Sequence, residues 1–393
     1  MDLLGNVLWG PDWSEVRAQW MLDPEVAHLN HGSYGAVSNP VFERQEEIRR
    51  SAESNPHDFF LRKLYDQIDA ARSIAAEFVG ADLHSFSFIR NTSLAINAAL
   101  RSIDFEKGDE LLLSEHVYQA VYQAALDLER RHGVRMVEIP IDIGWSPSEI
   151  QDAFLQGVTV KTKAAIVDQI ASPTGLVFPA NEIVQGLRSK GVITIVDGAH
   201  APGMVDLNVK ELDAHFWVGN FHKWVCSPRG AAGLVIDEEA SHFFRPTIIS
   251  WRHQEGYPNS VAWQGTDDYS SFLTVPDAIR FMSSLDWDRA RRHNRELAAW
   301  GSELVSRAIG EQPVQFYPGT AEAMGLIRLP KGLVFDHGSA RRLDIEISRS
   351  LKCEVRPIAW RDGFIRVSAQ VYNCPDEFER LADGLPEVIR QLR

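Results

Sequence analysis

The sequence predicts an α/β protein: a mostly parallel seven-stranded sheet sandwiched by helices, followed by a smaller α+β C-terminal domain. Three observations carry that expectation. Between residues 85 and 236, short apolar runs alternate with helical stretches, the pattern of a parallel sheet covered on both faces. From about Ser271 the pattern changes to a long helix and then shorter strands. Between these, the β-branched run Val192–Val196 reads as a fully buried strand and ends on an acid, Asp197.

Taken in order, residues 1 to about 27, with Trp9, Trp13 and Trp20, read as a helical lead-in. Asn30-His31-Gly32-Ser33-Tyr34-Gly35 is a glycine-punctuated loop, followed after Pro40 by a helix to about Glu53. Leu61 to Phe78 has helical apolar spacing. The strand candidates are Ser85–Ile89, Glu110–Leu113, Arg135–Ile139, Ala164–Val167, Val192–Val196, His215–Val218 and Ala231–Ile236. Beyond them come a helix over about Phe272–Ile309 and strands near Ala323–Arg328, Leu333–Phe335, Cys353–Pro357 and Phe364–Ser368. Helices near Ser339–Leu351 and Pro375–Leu392 complete the chain. The expected division is a lead-in of residues 1–30 packing with the small domain, a large domain of 31–270 and a small domain of 271–393.

Composition narrows the classes of function. A formal net charge of −14 argues against nucleic acid or an anionic membrane as partner. No stretch approaches the roughly 20 apolar residues of a membrane span, and the N-terminus lacks the basic region of a signal peptide, so a cytoplasmic location is expected. Cys226, Cys353 and Cys374 are widely spaced and offer no metal framework. His28 and His31 form an HxxH pair without a third ligand, so no metal is expected.

The chemistry centres on Val192–Arg229. A carboxylate such as Asp197 at the end of a buried strand needs a cation, because an unpaired buried charge costs roughly several kcal/mol. A protonated pyridine nitrogen would serve. A second apolar strand leads into Gly219-Asn220-Phe221-His222-Lys223-Trp224, where Lys223 could form a Schiff base with an aldehyde. These are the two contacts that pyridoxal 5′-phosphate (PLP) asks of a protein. Asn91-Thr92-Ser93 follows a strand and opens a helical run, so its free N–H groups form an anion site suited to a phosphate or a simple cap. Arg366 ends a short apolar strand, and its guanidinium fork suits a substrate carboxylate.

VDGAHAPG followed by FHKW resembles the class V aminotransferase family of fold-type I PLP enzymes. HLNHGSYGAV, SPTG, WQGTDD and IRVSAQVYN fall in the expected order, and together they look most like the isopenicillin N epimerase-like branch. The resemblance implies that Lys223 carries PLP, Asp197 holds its ring nitrogen protonated and His200 bonds its phenolic oxygen. It implies a phosphate site of Asn91, Thr92, Ser93, Asn220 and His222, with Thr266 reaching the neighbouring subunit's site in a homodimer. Gln169 and Ser172 are expected beside the ring, and Asn30 joins Arg366 on the substrate carboxylate of an amino acid. His116 and Tyr118 both match positions that stack on the cofactor. Residues two apart do not share a helix face, so one stacks; Tyr118 is preferred, and its hydroxyl could act as a second acid or base.

The sequence departs from the pattern at two places. Relatives commonly read Gly-Thr-Arg-Asp where this chain has Gly265-Thr266-Asp267-Asp268, and Arg252, Arg229 or Arg62 could compensate. The loop Ile358–Gly363 carries no cysteine, so the persulfide chemistry of cysteine desulfurases is disfavoured. The expected activity is epimerisation or racemisation at Cα, with C–S lyase or β-elimination second, transamination third, and a non-catalytic PLP-binding protein as the alternative of a different class.

Overall fold

A computed structural model describes residues 13–393. Each of the seven expected strand regions supplies one strand of a single sheet: β1 Phe86–Ile89, β2 Glu110–Ser114, β3 Arg135–Ile139, β4 Thr162–Asp168, β5 Ile193–Asp197, β6 Phe216–Asn220 and β7 Ala232–Ile236. The spatial order is β1-β7-β6-β5-β4-β2-β3. Pairing is parallel except at β7, which runs antiparallel to both β1 and β6. The carboxyl ends of β1, β2, β4, β5 and β6 therefore meet at one edge, where ligands bind in open α/β sheets.

Apolar residues cover both faces. Phe86, Phe88, Val167, Val196 and Trp217 pack on one side with α1 (Asn39–Ser54), α2 (Leu64–Val79), α5 (Pro147–Gly157) and α6 (Ala180–Ser189). Ile89, Leu111, Leu113, Ile166, Ile195 and Val218 pack on the other with α3 (Thr92–Ser102) and α4 (Gln119–His132). Burying each such side chain contributes about 1.5–3 kcal/mol, which is why the central strands read as continuous apolar runs.

The C-terminal part holds a three-stranded antiparallel sheet in the order β9-β10-β8: β8 Met324–Arg328, β9 Arg356–Ile358 and β10 Phe364–Ser368. Helices α8 (Trp287–Ala308), α9 (His337–Leu351) and α10 (Pro375–Leu392) share an apolar cluster with it. Several expectations change here. The long helix breaks into Ser270–Leu273, α7 (Val275–Ser284) and α8, because Pro276 opens α7 and Asp286 leaves helical geometry (φ 65°) to cap α8. Leu333–Phe335 forms no strand: a turn over Pro330–Leu333, closed by the Leu333 N–H on the Pro330 carbonyl at 3.1 Å, leads into irregular chain there. Cys353–Pro357 splits at Val355. Cys353–Glu354 pairs with Ala27–His28, while Arg356–Ile358 pairs with β10. Of the lead-in, Trp13–Arg17 is helical and Trp9 lies outside the described residues.

No helix among the described residues is long and apolar enough to cross a membrane.

Candidate active site

Lys223 lies three residues beyond the end of β6, in a tight turn whose Cys226 N–H bonds the Lys223 carbonyl at 3.0 Å. Its side chain is buried, and Nζ stands 2.9 Å from His200 Nε2. Burial first, and then the Arg366 charge, push the amine down to about 7, against the pull of Asp197. A lysine so placed is substantially neutral at physiological pH and able to attack a carbonyl. Capture of an aldehyde by Lys223 should therefore accelerate as pH rises through about 7 and level off above it. An ordinary lysine keeps accelerating toward 10.5, and absorbance titration of the purified chain with pyridoxal distinguishes the two curves.

Asp197, the last residue of β5, accepts the Ala199 N–H at 3.0 Å. Its register partner across the parallel pair is a second acid, Asp168, at the end of β4. Both carboxyls are buried and pushed upward by desolvation, Asp168 further by the Asp197 charge. Asp168 is the more strongly raised of the two: it accepts the Ser114 hydroxyl at 3.0 Å but lies under the Asp197 charge, whereas Asp197 has both the Ala199 N–H and the pull of Lys223. Asp168 escaped the sequence reading because it stands inside the turn-like stretch DQIASPTG. The signal that could have exposed it is its position after an apolar run, the same one that marked Asp197.

Arg366 is buried at the centre of β10, its cationic form disfavoured by desolvation and by Arg356, its register partner on β9. It donates to the Ser172 carbonyl, to Asn30 Oδ1 at 3.2 Å and to Ser33 Oγ at 2.9 Å, while Nε is buried without a partner. Asn30, Ser172 and Arg366 are thus brought together, with Ser33 as an addition the sequence reading missed. Gly35 lets this N-terminal loop lie against the lysine turn: its φ is +70°, and a Cβ there would fall 1.9 Å from the His222 carbonyl.

At the end of β1, Asn91 caps α3 by accepting the Leu94 N–H at 2.9 Å. The Thr92 N–H donates to Asn220 Oδ1 at 3.2 Å, and the Thr92 hydroxyl is buried without a partner. Ser93 completes the first helical turn. His222 donates from Nδ1 to the Ala231 carbonyl at 3.1 Å, and burial lowers its pKa to about 4. Gln169 accepts the Trp217 indole N–H at 3.0 Å.

His116 and Tyr118 part company. The His116 imidazole is fully buried, with Nε2 2.9 Å from the Ile141 carbonyl and Nδ1 2.8 Å from the Thr174 hydroxyl. Both nitrogens are engaged and its ring lies against Trp360 and Phe178, so it offers no free base. Tyr118 is 45% exposed at the N-cap of α4, and it is near enough to Arg366 to favour that cation, as is Tyr34. Thr266 is exposed on a loop and makes no hydrogen bond to the other candidates among the described residues. Its neighbour Asp267 pairs with Arg90, whose guanidinium lies 4.9 Å over the Phe272 ring. The three arginines considered as compensation for Asp267 are engaged elsewhere: Arg252 with Glu255, Arg62 with Asp58 and Arg229 on the Gly35 carbonyl.

Residues 39–381 match the family described as aminotransferase class-V. The chain belongs to that family. Class-V relatives include the isopenicillin N epimerase of Amycolatopsis lactamdurans, 33% identical over 96% of this chain and 98% of that protein. The putative L-cysteine desulfhydrase 2 of Oryza sativa subsp. japonica is 26% identical over 96% of this chain and 87% of that one. A solved structure of a C-DES mutant with glycine covalently linked to its PLP cofactor has a TM-score of 0.79. It covers 94% of this chain and 99% of that one at 19% identity, which shows the shared fold. The chain is thus a PLP-dependent class-V enzyme by family.

The residues present fit that cofactor. The orphaned Thr92 hydroxyl beside the α3 N-terminus suits a phosphate, Asp197 suits a protonated pyridine, and Lys223 suits the aldehyde.

Proposed function

We propose that the chain catalyses epimerisation or racemisation at Cα of an amino acid or an amino-acid-containing small molecule, using PLP held by Lys223, Asp197, His200, Asn91, Thr92, Ser93, Asn220 and His222. Bound PLP supplies an electron-withdrawing ring that acidifies the substrate's Cα–H. Arg366, with Asn30 beside it, takes the substrate carboxylate. The released Lys223 amine removes the Cα proton, and the Tyr118 hydroxyl, from a separate element, returns one to the other face. Solvent then exchanges protons with both groups and resets them.

The observation that carries this reading is the pairing of a buried amine at about 7 with a half-exposed phenol on the Arg366 side of the site. It leaves two proton carriers of different elements around one carboxylate dock. The similarity to isopenicillin N epimerase over nearly the full chain adds to it. Cysteine desulfurase chemistry is disfavoured further, since Cys353 is buried in the strand pair with Ala27–His28 and its thiol is pushed up to about 12 by burial.

The reading is tested in deuterium oxide with a panel of D- and L-amino acids, cysteine conjugates and sulfoxides. The expected result is Cα deuteration with inversion and no keto acid. Pyruvate and ammonia from a cysteine derivative would reassign the enzyme to β-elimination. No exchange with any member of the panel would remove Cα chemistry altogether. A homodimer that completes the site through Thr266 belongs to the same proposal.

A further inference from the structure

An indole N–H can only donate, and that of Trp224 points at His200 Nδ1 from 3.2 Å. Nδ1 must therefore present its lone pair, which puts the single proton of the neutral imidazole on Nε2. That nitrogen faces Lys223 Nζ at 2.9 Å, so the hydrogen between them belongs to histidine and the amine accepts it. We propose that Trp224 is a positioning residue that locks His200 as an Nε2–H donor and thereby leaves Lys223 as the proton acceptor of the pair. The inference concerns the chain itself and does not depend on the reaction proposed above.

The surroundings support a lock rather than a passing contact. His200 is fully buried, and flipping its ring would replace both bonded nitrogens by carbons. Trp224 is 1% exposed, held among Ile170, Met204, Ala323 and Met324. The charged and titratable groups around His200 are Lys223, Arg366, His31 and His222, all of which oppose an imidazolium, while Asp197 acts on Lys223. The same device occurs at the other end of the lysine. The Lys223 carbonyl can only accept, so His31 donates to it from Nε2 at 2.9 Å, and its Nδ1 accepts the Tyr372 hydroxyl at 2.7 Å. Both histidines are lowered by burial, His31 to about 3.

Such a lock has a chemical consequence. An ammonium at Nζ would face an N–H, so the locked tautomer favours the neutral amine. An oxygen anion placed where Nζ now stands would receive the same N–H without any proton transfer. His200 is then a hydrogen-bond donor throughout and never competes with Lys223 for a proton.

The test uses the cofactor-free chain labelled with 15N-histidine, with His200 assigned from a His200→Gln spectrum. Long-range 1H–15N spectra between about pH 5.5 and 9 should show His200 protonated at Nε2, bare at Nδ1 and not titrating. In Trp224→Phe, which keeps an aromatic ring but no N–H, His200 should gain the Nδ1–H form. The midpoint for aldehyde capture by Lys223 should rise by about one pH unit, while His31 keeps its pattern. A purely structural tryptophan would move none of these signals. A wild-type His200 protonated at Nδ1 or titrating in this range overturns the proposal, and this spectrum decides even if the variant does not fold. An unchanged His200 in a folded Trp224→Phe overturns it equally.

Discussion

A Lys223→Ala chain is expected to fold, to retain PLP only weakly through its phosphate and ring contacts, and to lose Cα exchange by about 10⁴-fold or more. Two losses combine. The amine that anchors the aldehyde is gone, and so is the base that moves the proton, a function that alone contributes roughly 10²–10⁴-fold. Folding should survive because the substitution removes a buried cation-forming group whose desolvation already lowers its pKa to about 7. The check is threefold: far-UV circular dichroism, the absorption of lysine-bound PLP, and deuterium exchange at Cα. Retained exchange in the folded variant would place the base elsewhere, with Tyr118 the first residue to examine.

Asp197→Asn is expected to lower Cα exchange by about 10²–10³-fold, the size of losing one preorganised electrostatic group. Asparagine keeps the shape and can still accept the Ala199 N–H, but it cannot hold a pyridine nitrogen protonated. Asp168→Asn should behave oppositely. An amide there can still accept from the Ser114 hydroxyl, and it removes a carboxyl whose charged form burial and the Asp197 charge both oppose, so little exchange should be lost. Measuring exchange in both variants separates the acids. Equal losses would show that the pair acts as one unit.

The main sheet was legible in the sequence because its central strands are buried on both faces and so write themselves as continuous apolar runs, while the edge strand β3 is partly exposed and mixes charged with apolar residues. Asp197 stood out for a related reason, since a charged residue that closes such a run has to be explained; Lys223 stands three residues past its strand, and Arg366, expected at the end of a strand, lies at the centre of β10. Asp168 had the same credentials and was hidden by the turn-forming residues that follow it. Which of His116 and Tyr118 meets the core was beyond the sequence. Two neighbouring residues at a helix start differ only in which side of the chain meets the core, and Thr174 and Ile141, which claim the His116 nitrogens, lie 58 and 25 residues away. The Arg90–Asp267 pair spans the chain in the same way.

What the sequence by itself determined, then, was local: which segments form the main sheet, about where they end, and that an acid, Asp197, closes one of them. Hydrophobic periodicity and the cost of burying a charge act within a few residues and leave their mark there. What only the tertiary structure decided was protonation and partnership. Whether a histidine donates or accepts depends on the group that reaches its far nitrogen. For His31 that group is Tyr372, 341 residues away, and for His200 it is Trp224, brought back across the site by the turn that carries Lys223.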